Sequence, residues 1–470
     1  MDIIMKLKYF FEWALILALS AGTSNAQHVM TLGKCRALAL ENNKAAAIAA
    51  RNKEIVDFTQ KSYRTNYLPK FSATGNYFYS NVTMNKTLPG NYLPTFVPDP
   101  ATGQLVPNIL TMGPDGNPIF KEYAFFPDMD ISLKMSGTWM AGLRAEQPVY
   151  MGGKIKSAYK MSQIGNEIAN LNQTLTHAEI IVKTDEAYWT YVQTGELVKL
   201  ALSYQKVVTE LLRNVQDAQE VGLRHRNDVL KVQVKVNEAE LQVRQAENGV
   251  TLSRKNLCHM MGLPLDSDII LPESFDESSL ITPDHSADYV SRPEYAMLTK
   301  QIELKEQQEK LIQSDFLPKV GVMANYGYLN GLTLNGDKLL NRASFFAVAS
   351  VSVPVFQWGE GRNKIRAAQI EREVTQLQRD DISEQMALDL ARALDKCDES
   401  DLEVQLTARS LEQAQENMKV SGDQYAEGME TLADFLEAQT VWQRAWMEHI
   451  NAKARQRFNQ TYYLKAAGKL

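Results

Sequence analysis

Gln147-Pro148-Val149-Tyr150-Met151-Gly152-Gly153-Lys154 and Val353-Pro354-Val355-Phe356-Gln357-Trp358-Gly359-Glu360-Gly361-Arg362 decide how this chain is read. Each follows an alternating, strand-like run and opens a very long helical pattern. After Pro148 the next proline is Pro264, and none follows Pro354, so two runs of more than a hundred residues lack the strongest helix breaker. Matching residues keep an offset of 206: Pro148 with Pro354, Val149 with Val355, Gly222 with Gly428, Leu230 with Leu436. Upstream, Tyr67-Leu68-Pro69-Lys70 answers Phe316-Leu317-Pro318-Lys319 at an offset of 249, which leaves 43 extra residues inside the first copy. The chain is one architecture built twice, with a long insertion in the first copy.

The 470 residues are 44% apolar and 23% charged, with a net charge of -6. No basic block or RNA-binding signature appears, so nucleic acid is not expected as a partner. Lys6 and Lys8, an apolar run from Trp13 to Ala21, and Ser24-Asn25-Ala26 read as a secretory signal peptide over residues 1–26. Cys35 lies too far downstream to carry a lipid anchor. Cys35, Cys258 and Cys397 have no motif spacing and are expected as buried, unpaired thiols.

The first repeat is assigned to 27–261, a Pro, Asp and Ser-rich link to 262–287, and the second repeat to 288–470. Helical patterns over Thr31–Asn66 and Asp288–Ser314 each stop at a Leu-Pro step. Strands are then expected at about 69–80, 130–148, 319–329 and 344–356 from period-2 alternation. Phe71, Ala73, Gly75, Tyr77 and Tyr79 share a face, as do Trp139, Ala141, Leu143 and Ala145; Val320 to Tyr328 and Phe345 to Val353 follow the same rule. The other face carries Ser72, Thr74, Asn76, Thr138, Arg144, Asn325, Ser350 and Ser352, which suits a polar lumen. Aromatics gather at both ends: Tyr67, Tyr150, Phe316 and Phe356 at one, Tyr77, Tyr79, Trp139, Tyr326, Tyr328 and Phe345 toward the other. Strands of about 10 residues tilted by about 40° separate such girdles by roughly 25 Å, the height of an outer-membrane hydrocarbon band. Residues 81–128, crowded with Pro and Gly, read as a long surface loop of unspecified fold.

Helical hairpins are expected at 153–261 and 361–466, each turning at a glycine, Gly222 or Gly428. At 1.5 Å per residue the longer arm runs roughly 100 Å, with coiled-coil packing between arms. Four strands cannot close a membrane barrel, and open edges in lipid leave backbone groups unsatisfied, so other copies must supply the missing strands. Three copies give twelve strands and room for a pore.

Together these features resemble the TolC-type outer-membrane efflux channels. The resemblance covers nearly the whole chain after the leader. It rests on the paired Leu-Pro-Lys strand starts, the Pro-Val-Tyr and Pro-Val-Phe strand ends, Asn256-Leu257-Cys258-His259-Met260-Met261-Gly262-Leu263-Pro264, and both turns: Val221-Gly222-Leu223 before Asp228, Glu427-Gly428-Met429 before Asp434. It implies a mainly α fold with a membrane β-barrel portion: a homotrimer with a twelve-stranded barrel in the outer membrane of a Gram-negative bacterium and an α-helical tunnel in the periplasm. The implied partners are a periplasmic membrane-fusion adaptor and an inner-membrane pump, proton-driven in preference to ATP-driven. The implied role is a passive exit duct for toxic small compounds or drugs, with type I protein secretion and metal efflux as alternatives of the same architecture.

Val221, Gly222, Leu223, Glu427, Gly428 and Met429 are then the adaptor-contacting tips. Asp228 and Asp434 stand six residues after the turn glycines, where threefold symmetry gathers six carboxylates at a periplasmic constriction, and Tyr425 matches a gate residue of the family. The same two aspartates also fit helix N-terminal positions, and Thr431-x-x-Asp434 reads as a capping box. Glu430 stands where some relatives carry a basic residue, and the first surface loop is longer than in better-known members. No enzyme, cofactor or metal is expected: His177, His225, His285 and His449 lack partner spacing, and adjacent residues in Cys258-His259-Met260-Met261 point in different directions on a helix. Gly359-x-Gly361 completes no phosphate loop, and Trp442 with Trp446, like Tyr188 with Trp189, is expected to pack between helices.

Overall fold

The computed structural model describes residues 28–81, 83–271, 275 and 281–470; the leader expected at 1–26 lies outside them. The chain divides into two compact units. One takes in residues up to Lys61, Lys160–Glu309 and Arg366–Leu470; the other takes in Ser62–Tyr159 and Lys310–Ile365.

The second unit is built on four long strands: β1 (Lys70–Phe78), β2 (Met129–Met151), β3 (Lys319–Leu334) and β4 (Asp337–Ser352). They form an antiparallel sheet in the order β4-β3-β2-β1, with Thr83–Leu88 also pairing β2. Register confirms the two faces. Phe71, Ala73, Gly75 and Tyr77 stand opposite Ala145, Leu143, Ala141 and Trp139; Ala145, Leu143 and Ala141 in turn pair Ala324, Tyr326 and Tyr328 of β3, of which Ala324 and Tyr326 pair Ala347 and Phe345 of β4, while Trp139 pairs Asn330. Across the other face, Ser72 pairs Arg144 and Arg144 pairs Asn325, with Met140 and Phe346 interspersed. β1 is shorter than expected at 69–80, β2 runs slightly past both ends of 130–148, and β3 and β4 extend well past their expected limits at the turn that joins them. β3 and β4 continue to a two-residue Asn335-Gly336 turn, both at positive φ (52° and 89°), the primed hairpin geometry that Asn-Gly favours. β4 stops at Ser352, before Pro354.

The 81–128 segment is not structureless. Asn91–Pro94 pairs Tyr123–Phe126 as a stalk, which carries two small hairpins, Phe96–Pro98 with Leu105–Pro107 and Ile109–Met112 with Pro118–Phe120. Backbone bonds from Thr95 to Glu122, Asn108 to Thr95 and Lys121 to Asn108 tie the three ladders at one junction.

The duplication is exact in the bounds of the long helices. Helices α1 (Lys154–Glu220) and α3 (Glu360–Ala426) have 67 residues each; α2 (Arg226–Met260) and α4 (Leu432–Ala466) have 35 each. One cluster draws on all four: Tyr204 and Val208 of α1, Val236 and Ala239 of α2, Ala414 of α3, Trp442 and Ala445 of α4. Tyr188, Trp189, Leu257, Met261 and Ile450 form another, with Phe275 stacked on Trp189 at 5.7 Å. The aromatic pairs are thus packing residues; Trp442 and Trp446 lie 5.3 Å apart. Asp185, fully buried, is held by the Arg36 guanidinium and by Thr461 Oγ at 2.7 Å, so its charge is paired and hydrogen-bonded.

The first helix differs from its expected form. Leu32–Asn42 and Lys44–Arg64 are separate, because Asn43 is extended (ψ 134°), donates its amide to the Met260 carbonyl at 2.9 Å and accepts from the Ala45 N–H. His28–Val29 also pairs in parallel with Ile269–Ile270, fastening the link to the N-terminal segment. All three thiols are buried, and burial raises Cys258 and pushes Cys397 up to about 11.

Candidate functional site

The hairpin tips are built from backbone geometry. Two residues past the end of α1 stands Gly222 (φ +83°), and two past the end of α3 stands Gly428 (φ +73°). Leu223 donates to the Ala218 carbonyl at 2.8 Å and Gly222 to Gln219 at 3.0 Å; Met429 donates to Gln424 at 2.8 Å and Gly428 to Tyr425 at 3.2 Å. This is the Schellman closure, which satisfies the last helical carbonyls. A Cβ at either glycine would meet nothing within 4 Å, so the left-handed φ, not crowding, demands glycine. Leu223 and Met429 are 77% and 75% exposed, and Val221 and Glu427 are exposed beside them.

The return helices start differently. Thr431 accepts from the Asp434 N–H, and Asp434 Oδ2 takes the Thr431 hydroxyl at 2.6 Å and its N–H at 3.3 Å, a complete capping box. At the equivalent position of the first repeat stands His225, which makes no side-chain cap. Asp228 is therefore not held in a box; its nearest cation is Lys231 at 3.8 Å.

Between the two tips lies a cleft of about 830 Å³, lined by Leu211, Ala218, Leu223, Arg224, Tyr425, Glu427 and Phe435 among others. Tyr425 stacks on Phe435 with ring centroids 5.4 Å apart, and the Arg224 guanidinium sits 4.5 Å from the Tyr425 ring. Burial raises the Tyr425 phenol; Arg224 opposes that shift and Asp228 adds to it. The structure thus brings Tyr425 and Asp228 into one electrostatic neighbourhood, while Asp434 is occupied with its own helix end. Sequence reading missed Arg224 and Phe435. The signal was there, a cation two residues past Gly222 and an aromatic ten residues past Tyr425. Glu430 accepts a hydrogen bond from the buried Ser421 hydroxyl, so it braces the second tip.

The expected girdle residues fall in two groups. Tyr77, Trp139, Tyr326, Tyr328 and Phe345 lie within two rows of one another across the sheet, with Trp139 and Tyr328 stacked at 5.3 Å; Tyr79 follows the end of β1. At the opposite end Tyr150 pairs Val320, Tyr67 and Phe316 stand in the corners before β1 and β3, and Phe356 lies past β4 against Trp358 at 4.9 Å. Phe316 packs on Gly361, where a Cβ would fall 2.9 Å from its ring. Trp358, with φ +50°, belongs to this group and was not singled out from sequence. Among the described residues no group of three or more His, Cys, Asp or Glu is arranged to hold a metal ion, and no helix is long and apolar enough to cross a membrane.

A family model described as outer membrane efflux protein matches residues 36–263 and 290–468. The alkaline protease secretion protein AprF of Pseudomonas aeruginosa is 22% identical over 283 residues, 58% of each chain, so the alignment spans little more than half the length of that relative. The CmeC outer membrane channel of Campylobacter jejuni superposes with a TM-score of 0.70 at 16% identity over 95% of this chain and 90% of its own. For VceC of Vibrio cholerae the values are 0.71, 14%, 93% and 96%, and for the open state of the MtrE channel of Neisseria gonorrhoeae 0.70, 17%, 93% and 88%. At such identities the structures establish the fold. Because the family match takes in both halves of the duplication, this chain belongs to the outer membrane efflux protein family.

Proposed function

We propose that three copies of this chain form a passive exit duct of a tripartite efflux system, carrying toxic small compounds or drugs outward from an inner-membrane pump and a periplasmic adaptor. The observation that carries this reading is the four-stranded sheet: its one face is apolar and aromatic, its other face is largely polar, and β1 and β4 each pair on one side only. A sheet with such faces and edges fits a segment of a membrane barrel whose remaining strands belong to other copies. The chain then performs no chemistry; the pump, proton-driven in this reading, supplies the energy. The AprF likeness supports a second reading, a conduit for a secreted polypeptide.

The constriction follows from the same assembly. Three Asp228 and three Asp434 carboxylates near the tips focus a negative potential that attracts cations and lets trivalent cations block. Asp228 is the better placed of the two, since its carboxylate is free of a capping box and lies near the Arg224–Tyr425 pair. Opening moves the tip helices apart when the adaptor and pump engage.

Planar-bilayer conductance of the Asp228→Ala, Asp434→Ala double variant tests this. Loss of cation preference and of block by a trivalent lanthanide is expected. Folded channels that keep both would overturn the constriction.

A further inference from the structure

The two halves of the duplication make the same strand-to-helix turn in different surroundings. Gly152 and Gly153 carry φ of +62° and +90°; Trp358 and Gly359, at the equivalent positions, carry +50° and +83°. Around the first turn the chain supplies its own partner, the corner that precedes β3. A Cβ on Gly152 would fall 2.6 Å from the Ser314 carbonyl oxygen and 2.7 Å from Leu317 Cβ. Tyr150 pairs Val320, Met151 pairs Lys319, and Lys154 Nζ reaches Asp315 at 2.9 Å. The second turn is more open: Phe316 packs on Gly361 just after it, but Trp358 and Val355 are each 90% exposed.

The counterpart of that covering corner is Thr65–Lys70, with Leu68 in the place of Leu317 and Lys70 in the place of Lys319. It sits at the start of β1, one unpaired edge; the Trp358 turn sits past the end of β4, the other. Lys70 pairs Glu146 near the end of β2, and Lys319 pairs both Met151 and Ser352, so both features lie at the same end of the sheet. Joining β4 of one copy to β1 of the next brings turn and corner together as they meet within the chain.

We infer that the second turn is completed by the Thr65–Lys70 corner of another copy of this chain, with Trp358 as the anchor. Its indole lies across Tyr67 and Leu68 of that copy, at a cleft of about 470 Å³ bounded by Tyr67, Pro148, Tyr150 and Ile155. A left-handed backbone is open to glycine and unfavourable for a bulky side chain. Trp358 adopts it while 90% exposed, against the edge of Phe356. Where Gly152 lets two backbones touch, tryptophan holds them apart and fills the gap with aromatic surface, the residue type that most often dominates binding at interface centres. Charge changes at the same place: Lys154, which faces Asp315 in the first turn, is replaced by Glu360, which Lys364 holds at 2.6 Å, and Asp315, flanked by Lys319, is replaced by Asn66 near Lys70. The inference rests on closure of the sheet by other copies.

The test uses full-length protein extracted in detergent. Trp358→Cys combined with Leu68→Cys is oxidised and run on a denaturing gel; the native thiols are buried. Cross-linked ladders of two and three chains, absent from either single variant, are expected. Trp358→Gly, which restores the residue of the first turn and relieves the backbone, should speed dissociation of the assembled state by roughly tenfold or more. Wild-type protein that assembles while the double-cysteine variant stays uncross-linked, or while Trp358→Gly dissociates at the wild-type rate, overturns the anchor and leaves a lipid-facing tryptophan. Wild-type protein that never assembles overturns the closure on which it rests.

Discussion

Asp228 and Asp434 occupy equivalent positions and do different work. Asp434 closes a capping box with Thr431, whereas the first repeat has His225 there and no box forms. Asp434→Ala should therefore destabilise the start of α4 by roughly 0.3–1 kcal/mol, the usual worth of a carboxylate in the first turn, since Thr431 keeps its bond from the backbone N–H of residue 434. Hydrogen exchange reads this directly: amides of the first turn after Leu432 should exchange faster in Asp434→Ala, and those after Arg226 should be unchanged in Asp228→Ala. Equal acceleration in both would show that Asp228 is also a cap. The capping box was legible as Thr431-x-x-Asp434; the inequality of the two aspartates was legible too, in the His225 that replaces threonine, but only once the repeats are aligned residue by residue.

The long hairpins reverse at the tips, where the apolar side chains of Val221, Leu223 and Met429 are exposed. Leu223 and Met429 enter the Schellman bonds through their backbone N–H groups alone, and their side chains stay exposed. Leu223→Ser with Met429→Ser should leave folding intact and abolish cross-linking to the adaptor and drug resistance in cells; full resistance with unchanged cross-linking refutes docking at the tips. Helix ends were legible because Pro148, Gly222, Pro354 and Gly428 punctuate otherwise unbroken patterns. Strand ends were less so. A bulge between Met135 and Trp139 breaks the alternation of β2, so its pairing with β3 beyond that point could not be followed by period. Turn chemistry in the inserted segment was readable and undervalued: Asp99-Pro100 and Pro114-Asp115 lead into Gly103 and Gly116, each at positive φ, and close the two small hairpins. Asn335-Gly336 likewise announces the β3–β4 hairpin.

At the scale of the molecule, the offset between repeats carried the architecture, because a duplication constrains every element twice. Which face of the sheet is apolar followed from the same rows in both repeats. What one chain cannot contain is closure: the hydrogen bonds missing from the outer sides of β1 and β4 have no partners among its own described strands. In a bilayer those groups must be satisfied by strands of other chains, and four strands per copy make three copies the smallest ring with an open lumen. Native mass spectrometry of the full-length protein in detergent counts the copies. Closure of the sheet predicts particles of three chains; a stable single chain that still conducts ions in bilayers would contradict it.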